Sequence, residues 1–149
     1  MRLRFSRTAD YGLRAALEIA RVADGQRVTR GTLARATDAP DGVLAQALAP
    51  LVRAGLLDAR TGPGGGYRLA RPGAQVSIHD IVIAIDGHEH EERCVLSEGA
   101  CDANGICPFH PFLIAAQERF LDTLRTTSLA DVIQHGLSLP VANQTATRA

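Results

Sequence analysis

Cys94, Cys101 and Cys107 are the only cysteines of the chain, and they fall within the polar, glycine-dotted stretch CVLSEGACDANGICPFH, which His110 closes. Clustered thiols of this kind bind soft metals, carry redox chemistry, or stay free as sensors. Six residues separate the first pair and five the second. A structural zinc site shows at least one tight pair with about two to four intervening residues, and neither gap fits. Wider gaps let a loop wrap a larger object, and an iron–sulfur cluster is larger than one zinc ion. Gly99, Asn104 and Gly105 tolerate the positive φ angles of a wrapping loop, and Pro108 directly follows the last cysteine. Three thiolates leave one coordination position. His110 is the nearest candidate. His88, Glu89, His90, Glu91 and Glu92 lie just upstream, and the two histidines read there as solvated loop residues. Asp10 is distant in sequence but within reach if a second subunit presents it.

The rest of the composition says what must position this stretch. The chain has 149 residues, 46% of them apolar and 21% charged, as in a globular protein with one ordinary core. It has no Trp, four Phe and two Tyr, so aliphatic residues build that core. No apolar run approaches the roughly 18 residues of a membrane span. The basic start MRLRFSRTADYG lacks the apolar stretch of a signal peptide. A cytoplasmic protein with no membrane partner is the expectation, and its reducing surroundings argue for metal or redox cysteines over disulfides. The net charge of zero hides a division: residues 1–71 hold twelve Arg against six acids, and residues 72–149 hold four Arg against ten. Every basic side chain is Arg. A basic first half suits an anionic partner such as nucleic acid.

That half reads as three helices and a hairpin. SRTADYGLRAALEIARVADG carries Ala9, Leu13, Ala16, Leu17 and Ala20 at helical spacing and stops by Gly25. Thr29 caps a short helix through Thr37, with Leu33 and Ala36 facing inward. Asp38-Ala39-Pro40 breaks it, and Asp41 can cap a third helix, DGVLAQALAPLVRAG, kinked at Pro50. Leu56-Leu57 and Tyr67-Arg68-Leu69 read as strands around a glycine-rich turn. Helix, turn, helix and hairpin in this order form a winged helix-turn-helix, whose third helix enters the major groove. The candidate DNA contacts are Thr29 and Arg30 before and in the second helix, Asp41, Gln46 and Arg53 on the third, and Arg60, Thr61 and Arg68 on the wing. Gln46 can pair with adenine, while Arg60 and Arg68 suit phosphate or the minor groove.

In the second half, VSIHDIVIAIDG opens with Ser77 three residues before Asp80, a capping-box start, and ends at Gly87. Then PFLIAAQERFLDTLRTTSLADVI reads as one long amphipathic helix, with Pro111 in its first turn and a face of Phe112, Leu113, Ala116, Phe120, Leu121 and Leu124. Such a face packs on its own domain or on a second copy, and palindromic DNA sites favour the homodimer. The fold class is therefore mainly α with a small β-hairpin wing. Residues 1–75 form the DNA-binding domain, 76–135 the cluster-binding loop and dimerisation helix, and 136–149 a frayed tail.

The opening MRL and ADYGLRA, the wing GPGGGYRLARP, the segments VSIHDIV and AIDG, the three cysteines and the closing TSLADVI together make the chain resemble the iron–sulfur winged-helix regulators that include IscR, NsrR and RirA. The resemblance covers Met1 to Ile133. It implies a dimeric transcription regulator, in the repressor sense, whose hold on double-stranded DNA depends on a 4Fe–4S or 2Fe–2S cluster ligated by Cys94, Cys101 and Cys107. Asp10 falls where NsrR-like proteins carry an aspartate ligand from the other subunit, and His110 where IscR-like proteins carry a histidine. ADYGLRA favours Asp10, with His110 the alternative. Ala45 stands where IscR-like proteins have a base-contacting glutamate, and their wing arginine aligns with Thr61. Nitric oxide, redox state or iron supply is the implied signal. The rival readings are a zinc- or thiol-based winged-helix regulator and a small electron-transfer protein. No Ser/His/Asp or phosphate-loop pattern suggests an enzyme.

Overall fold

A computed structural model describes residues 5–87 and 108–136. Within them the chain forms α1 (Arg7–Arg21), α2 (Arg30–Thr37), α3 (Asp41–Arg53), β1 (Leu57–Arg60), β2 (Gly66–Leu69), α4 (Ile78–Asp86), α5 (His110–Thr126) and α6 (Leu129–Gln134), with a 3₁₀ turn at Gly73–Gln75 before α4.

Each helix start is dictated locally. Ser6 caps α1 by accepting the Ala9 N–H at 3.0 Å, and Thr29 caps α2 by accepting from Thr32 at 3.2 Å. Helix α1 ends at Arg21 with Val22 as its cap, and the Gln26 N–H then reaches the Ala23 carbonyl at 3.0 Å across a turn that contains Gly25. In α2 the inward residues are Leu33 and Thr37; Ala36 is exposed. The buried Thr37 hydroxyl is satisfied by donating to the Leu33 carbonyl at 2.7 Å. Asp38 terminates α2 in the left-handed region, which Asp tolerates better than most side chains. Pro40, not Asp41, is the cap of α3, and the helix runs on through Pro50. Its end is a Schellman motif: the Leu56 N–H reaches the Leu51 carbonyl and the Gly55 N–H the Val52 carbonyl, both at 3.0 Å.

The core follows from these registers. Leu33, Leu44, Leu48 and Leu51 are fully buried with Ile19 of α1, Val76, Ile81 of α4 and Leu129 of α6. Each such side chain stabilises by about 1.5–3 kcal/mol. Gly12 sits where α1 meets α3 and α4: a Cβ there would run into Ile85 Cδ1 and touch Ala47 Cβ at 3.5 Å, so a larger residue would force the Ile85 side chain to move.

The second half differs from one continuous helix. Helix α5 stops at Thr126, and α6 restarts at Leu129 behind Ser128, which forms a reciprocal capping box with Asp131. The break is held open by the Ser77–Ser128 bridge, in which the Ile78 N–H reaches the Thr127 carbonyl at 3.0 Å and the Leu129 N–H the Val76 carbonyl at 2.9 Å. These bonds let Leu129 drop into the core. Helix α5 itself buries no residue, and Phe109 and Phe112 stand 60% and 74% exposed at its start. No helix among the described residues is long and apolar enough to cross a membrane.

Candidate nucleic-acid interface

The wing is an antiparallel pair in which Leu57 faces Leu69, Asp58 faces Arg68, Ala59 faces Tyr67 and Arg60 faces Gly66. Side chains alternate across a strand, so Leu57, Tyr67 and Leu69 turn towards the core while Asp58, Arg60 and Arg68 turn outward. The other edge of β2 is bound at Val28, which exchanges two 2.8 Å backbone hydrogen bonds with Tyr67. This bridge brings the start of α2 against the wing. Gly66 permits it: its φ is +125°, and a Cβ would sit 2.6 Å from the Val28 carbonyl oxygen.

An open cleft results, lined by Arg27, Thr29, Arg30, Arg60 and Arg68 together with the glycine turn. Arg30, Arg60, Arg68 and the exposed backbone of a glycine loop suit phosphate oxygens. Of the residues predicted from sequence, Thr29, Arg30, Arg60 and Arg68 meet in this cleft. Asp41 joins them indirectly, its Oδ1 lying 3.0 Å from Arg30 Nε, so it ties the starts of α2 and α3 together instead of capping. Gln46 and Arg53 lie on the exposed stripe of α3 that also contains Gly42 and Ala49, at steps of four, three and four residues. Thr61 is exposed at the start of the wing turn. Arg53 and Arg60 make no ion pair among the described residues, which leaves both available to an anionic partner.

Arg27 and Asp58 carry no local sequence signal, yet they organise the cleft. Arg27 Nη1 donates to the carbonyls of Asp58 and Gly66, each at 3.1 Å, and Nη2 to Asp58 Oδ2 at 2.7 Å. Arg68 Nε donates to the same oxygen at 2.9 Å. The Arg27 bond first, and then the Arg68 bond, hold the Asp58 carboxyl below its ordinary value.

Cys94, Cys101 and Cys107 lie outside the described residues, as do His88 and His90. The two candidate fourth ligands lie within them. Asp10 is in the first turn of α1; its Oδ1 accepts from Arg14 Nε at 2.9 Å, and Oδ2 has no hydrogen-bond partner among the described residues. One carboxylate oxygen is thus anchored, and the other keeps its lone pairs for a metal ion or a further donor. His110 opens α5, half-buried, three residues past Cys107. Asp86, at the end of α4, accepts from both the N–H and the hydroxyl of Ser6, and so binds the residue just before Gly87 to the cap of the helix that carries Asp10.

Comparison with known proteins agrees with this geometry. Residues 5–135 match the family described as Rrf2, iron-dependent transcriptional regulator. An HTH-type transcriptional regulator of Haemophilus influenzae is 31% identical over 124 residues, 83% of this chain and 81% of that protein. The HTH-type transcriptional repressor NsrR of Streptomyces coelicolor is 28% identical over 132 residues, 88% of each chain. A Mycobacterium tuberculosis HTH-type regulator is 39% identical over 85 residues, 57% of this chain; the match spans about half of that relative, 53%. Among solved structures, T. potens IscR superposes with a TM-score of 0.72 at 22% identity, covering 99% of this chain and 96% of that one. The oxidised form of Staphylococcus aureus CymR does so with 0.69 at 25%, covering 87% and 95%. The relatives are transcriptional regulators and the shared fold is a winged helix. The chain belongs to the Rrf2 family of transcriptional regulators.

Proposed function

We propose that this protein is an iron–sulfur-dependent, homodimeric repressor that holds promoter DNA and lets it go when nitric oxide, oxygen or iron loss reaches its cysteines. The reading is carried by one combination: an arginine-lined winged helix in the same chain as three cysteines on the segment between α4 and α5. The similarity to the repressor NsrR supports it. Cys94, Cys101 and Cys107 would hold the cluster, with Asp10 as fourth ligand and His110 as its alternative. A bound cluster supplies a redox-active centre that small gases reach through the non-sulfur position.

The protein's own residues do the rest. Arg53 and Arg60 take phosphates, Gln46 offers an amide to a base edge, and Arg68 works from the wing. The exposed face of α5, led by Phe112, packs against a second copy, which sets two α3 helices on the two halves of a palindromic site in the cytoplasm. The Ser6–Asp86 link joins the start of the cysteine segment to α1, and α1 packs on α3. A coupling of about 1–3 kcal/mol between the cysteine site and DNA is enough for a switch.

Anaerobic purification tests this directly. The expected product is coloured, contains iron and sulfide, shows a cluster signature by Mössbauer spectroscopy, and releases a promoter fragment on treatment with nitric oxide. Colourless, iron-poor protein with full promoter affinity refutes the cluster. That result would favour a second reading, a cluster-free thiol switch, for which the likeness to a regulator solved in an oxidised form speaks. A triple Cys→Ala variant separates the two from a regulator indifferent to its cysteines.

A further inference from the structure

Asp58 is the only acid of the wing, and it sits on the outward strand face between Arg60 and Arg68. By charge alone it weakens any contact with phosphate. Its bonding gives it a different task. Arg27 spends both terminal amino groups on Asp58 and Gly66 and is only 15% exposed, so it braces the segment before α2 against the wing. Arg68 spends only Nε on Asp58, and its side chain stays 45% exposed. Both of its terminal amino groups therefore remain available. They are the pair that makes bidentate contacts with a base edge or lies in a narrow minor groove. With Nε anchored, the planar guanidinium loses its freedom to swing, so little ordering remains to be done on binding.

We propose that Asp58 is a positioning residue for sequence recognition, aiming the terminal amino groups of Arg68 at DNA while Arg27 locks the wing to the start of α2. The proposal deepens the DNA-binding reading and rests on it; it is independent of the cluster. It predicts an effect opposite in sign to simple electrostatics.

Affinity is measured for a duplex that the wild-type protein enriches from a randomised pool, and for poly(dI–dC) as the non-specific competitor. Asp58→Asn is expected to bind the enriched duplex about tenfold more weakly and poly(dI–dC) as well as wild type or better, since a repelling charge is gone. In an Arg68→Gln background the same substitution should cost much less, because the group it aims has been removed and only the Arg27 clamp is left to weaken. Arg68→Lys leaves the Arg27–Asp58 clamp intact and keeps the charge but lacks the fork; it should weaken binding to the enriched duplex more than to poly(dI–dC), and an equal loss on both counts against the assignment even if Asp58→Asn folds poorly. A gain on both duplexes, an equal loss on both, or an undiminished loss in the Arg68→Gln background overturns the assignment. Failure of the wild-type protein to enrich any duplex overturns the DNA-binding reading itself, and with it this one.

Discussion

Gly66→Ala is the sharpest test of how the cleft is built. Gly66 has φ +125°, and an added Cβ would lie 2.6 Å from the Val28 carbonyl oxygen, 2.9 Å from its carbon and 3.2 Å from the Thr29 nitrogen. All three are backbone atoms, so no side-chain rotation relieves the clash. The strand must retreat from residue 28 and give up the two 2.8 Å bonds between Val28 and Tyr67, each worth about 1 kcal/mol net. Holding a non-glycine residue in that backbone region adds about 1–3 kcal/mol. The total is about 3–5 kcal/mol, a large part of the roughly 5–15 kcal/mol that stabilises a typical domain. With a urea slope of about 2 kcal/mol per M, the midpoint should fall by about 2 M. Amide exchange should show Val28 and Tyr67 losing protection first, and promoter affinity should fall because Arg60 and Arg68 move away from Thr29 and Arg30. Gly64→Ala is the control: its φ is +70°, but nothing lies within 4 Å of its Cβ position, so only about 1 kcal/mol is expected. If both variants unfold at the same urea concentration, with Val28 and Tyr67 still protected, close approach is not what requires glycine at position 66.

Three further outcomes follow from the same geometry. Leu48→Ala empties a fully buried position on α3 and should cost about 2–5 kcal/mol by chemical unfolding; a loss under about 1 kcal/mol would mean the α1–α3 packing differs from that described. Ser6→Ala removes both the α1 cap and the hydroxyl donated to Asp86, and should cost about 1–2 kcal/mol by thermal unfolding, with Thr at this position restoring most of it. The Asp58 carboxyl is held below the ordinary 3.8 in the folded protein, so the wing clamp is fully stabilising above that pH and is lost as pH falls through the lower, folded value. Wing amide resonances should therefore stay constant from about pH 8 to about pH 5 and move only in stronger acid, and a transition near neutrality would assign the clamp to another group.

The elements were legible wherever a local rule has a short period. Thr29 and Ser77 cap as their types predict, and the glycine run turns where it must. The α5–α6 break was also written locally, since Ser128 and Asp131 repeat the spacing of Ser77 and Asp80. The apolar step from Leu121 and Leu124 to Leu129 and Val132 masked it, because helical periodicity continues across a two-residue interruption almost in phase. Asp41 shows the opposite limit. An Asp after a proline has the type of a cap, but the chain gives that place to Pro40 and turns the carboxylate to Arg30, a preference set by a neighbour eleven residues away.

The candidate interface divides along the same line. Arginines on a predicted wing announce an anion-binding surface by charge alone, and Arg30, Arg60 and Arg68 do meet in one cleft. What disciplines that surface is long-range. Arg27 finds its partners 31 and 39 residues away, and Asp58 becomes the hub of the wing only once the strand register sets it opposite Arg68. In sequence, one of six acids set against twelve arginines reads as a surface charge that lowers a sum. In the fold the same carboxylate decides which arginines are spent on structure and which stay free to read, and pairings of that kind are fixed by register and packing, which no window on the sequence contains.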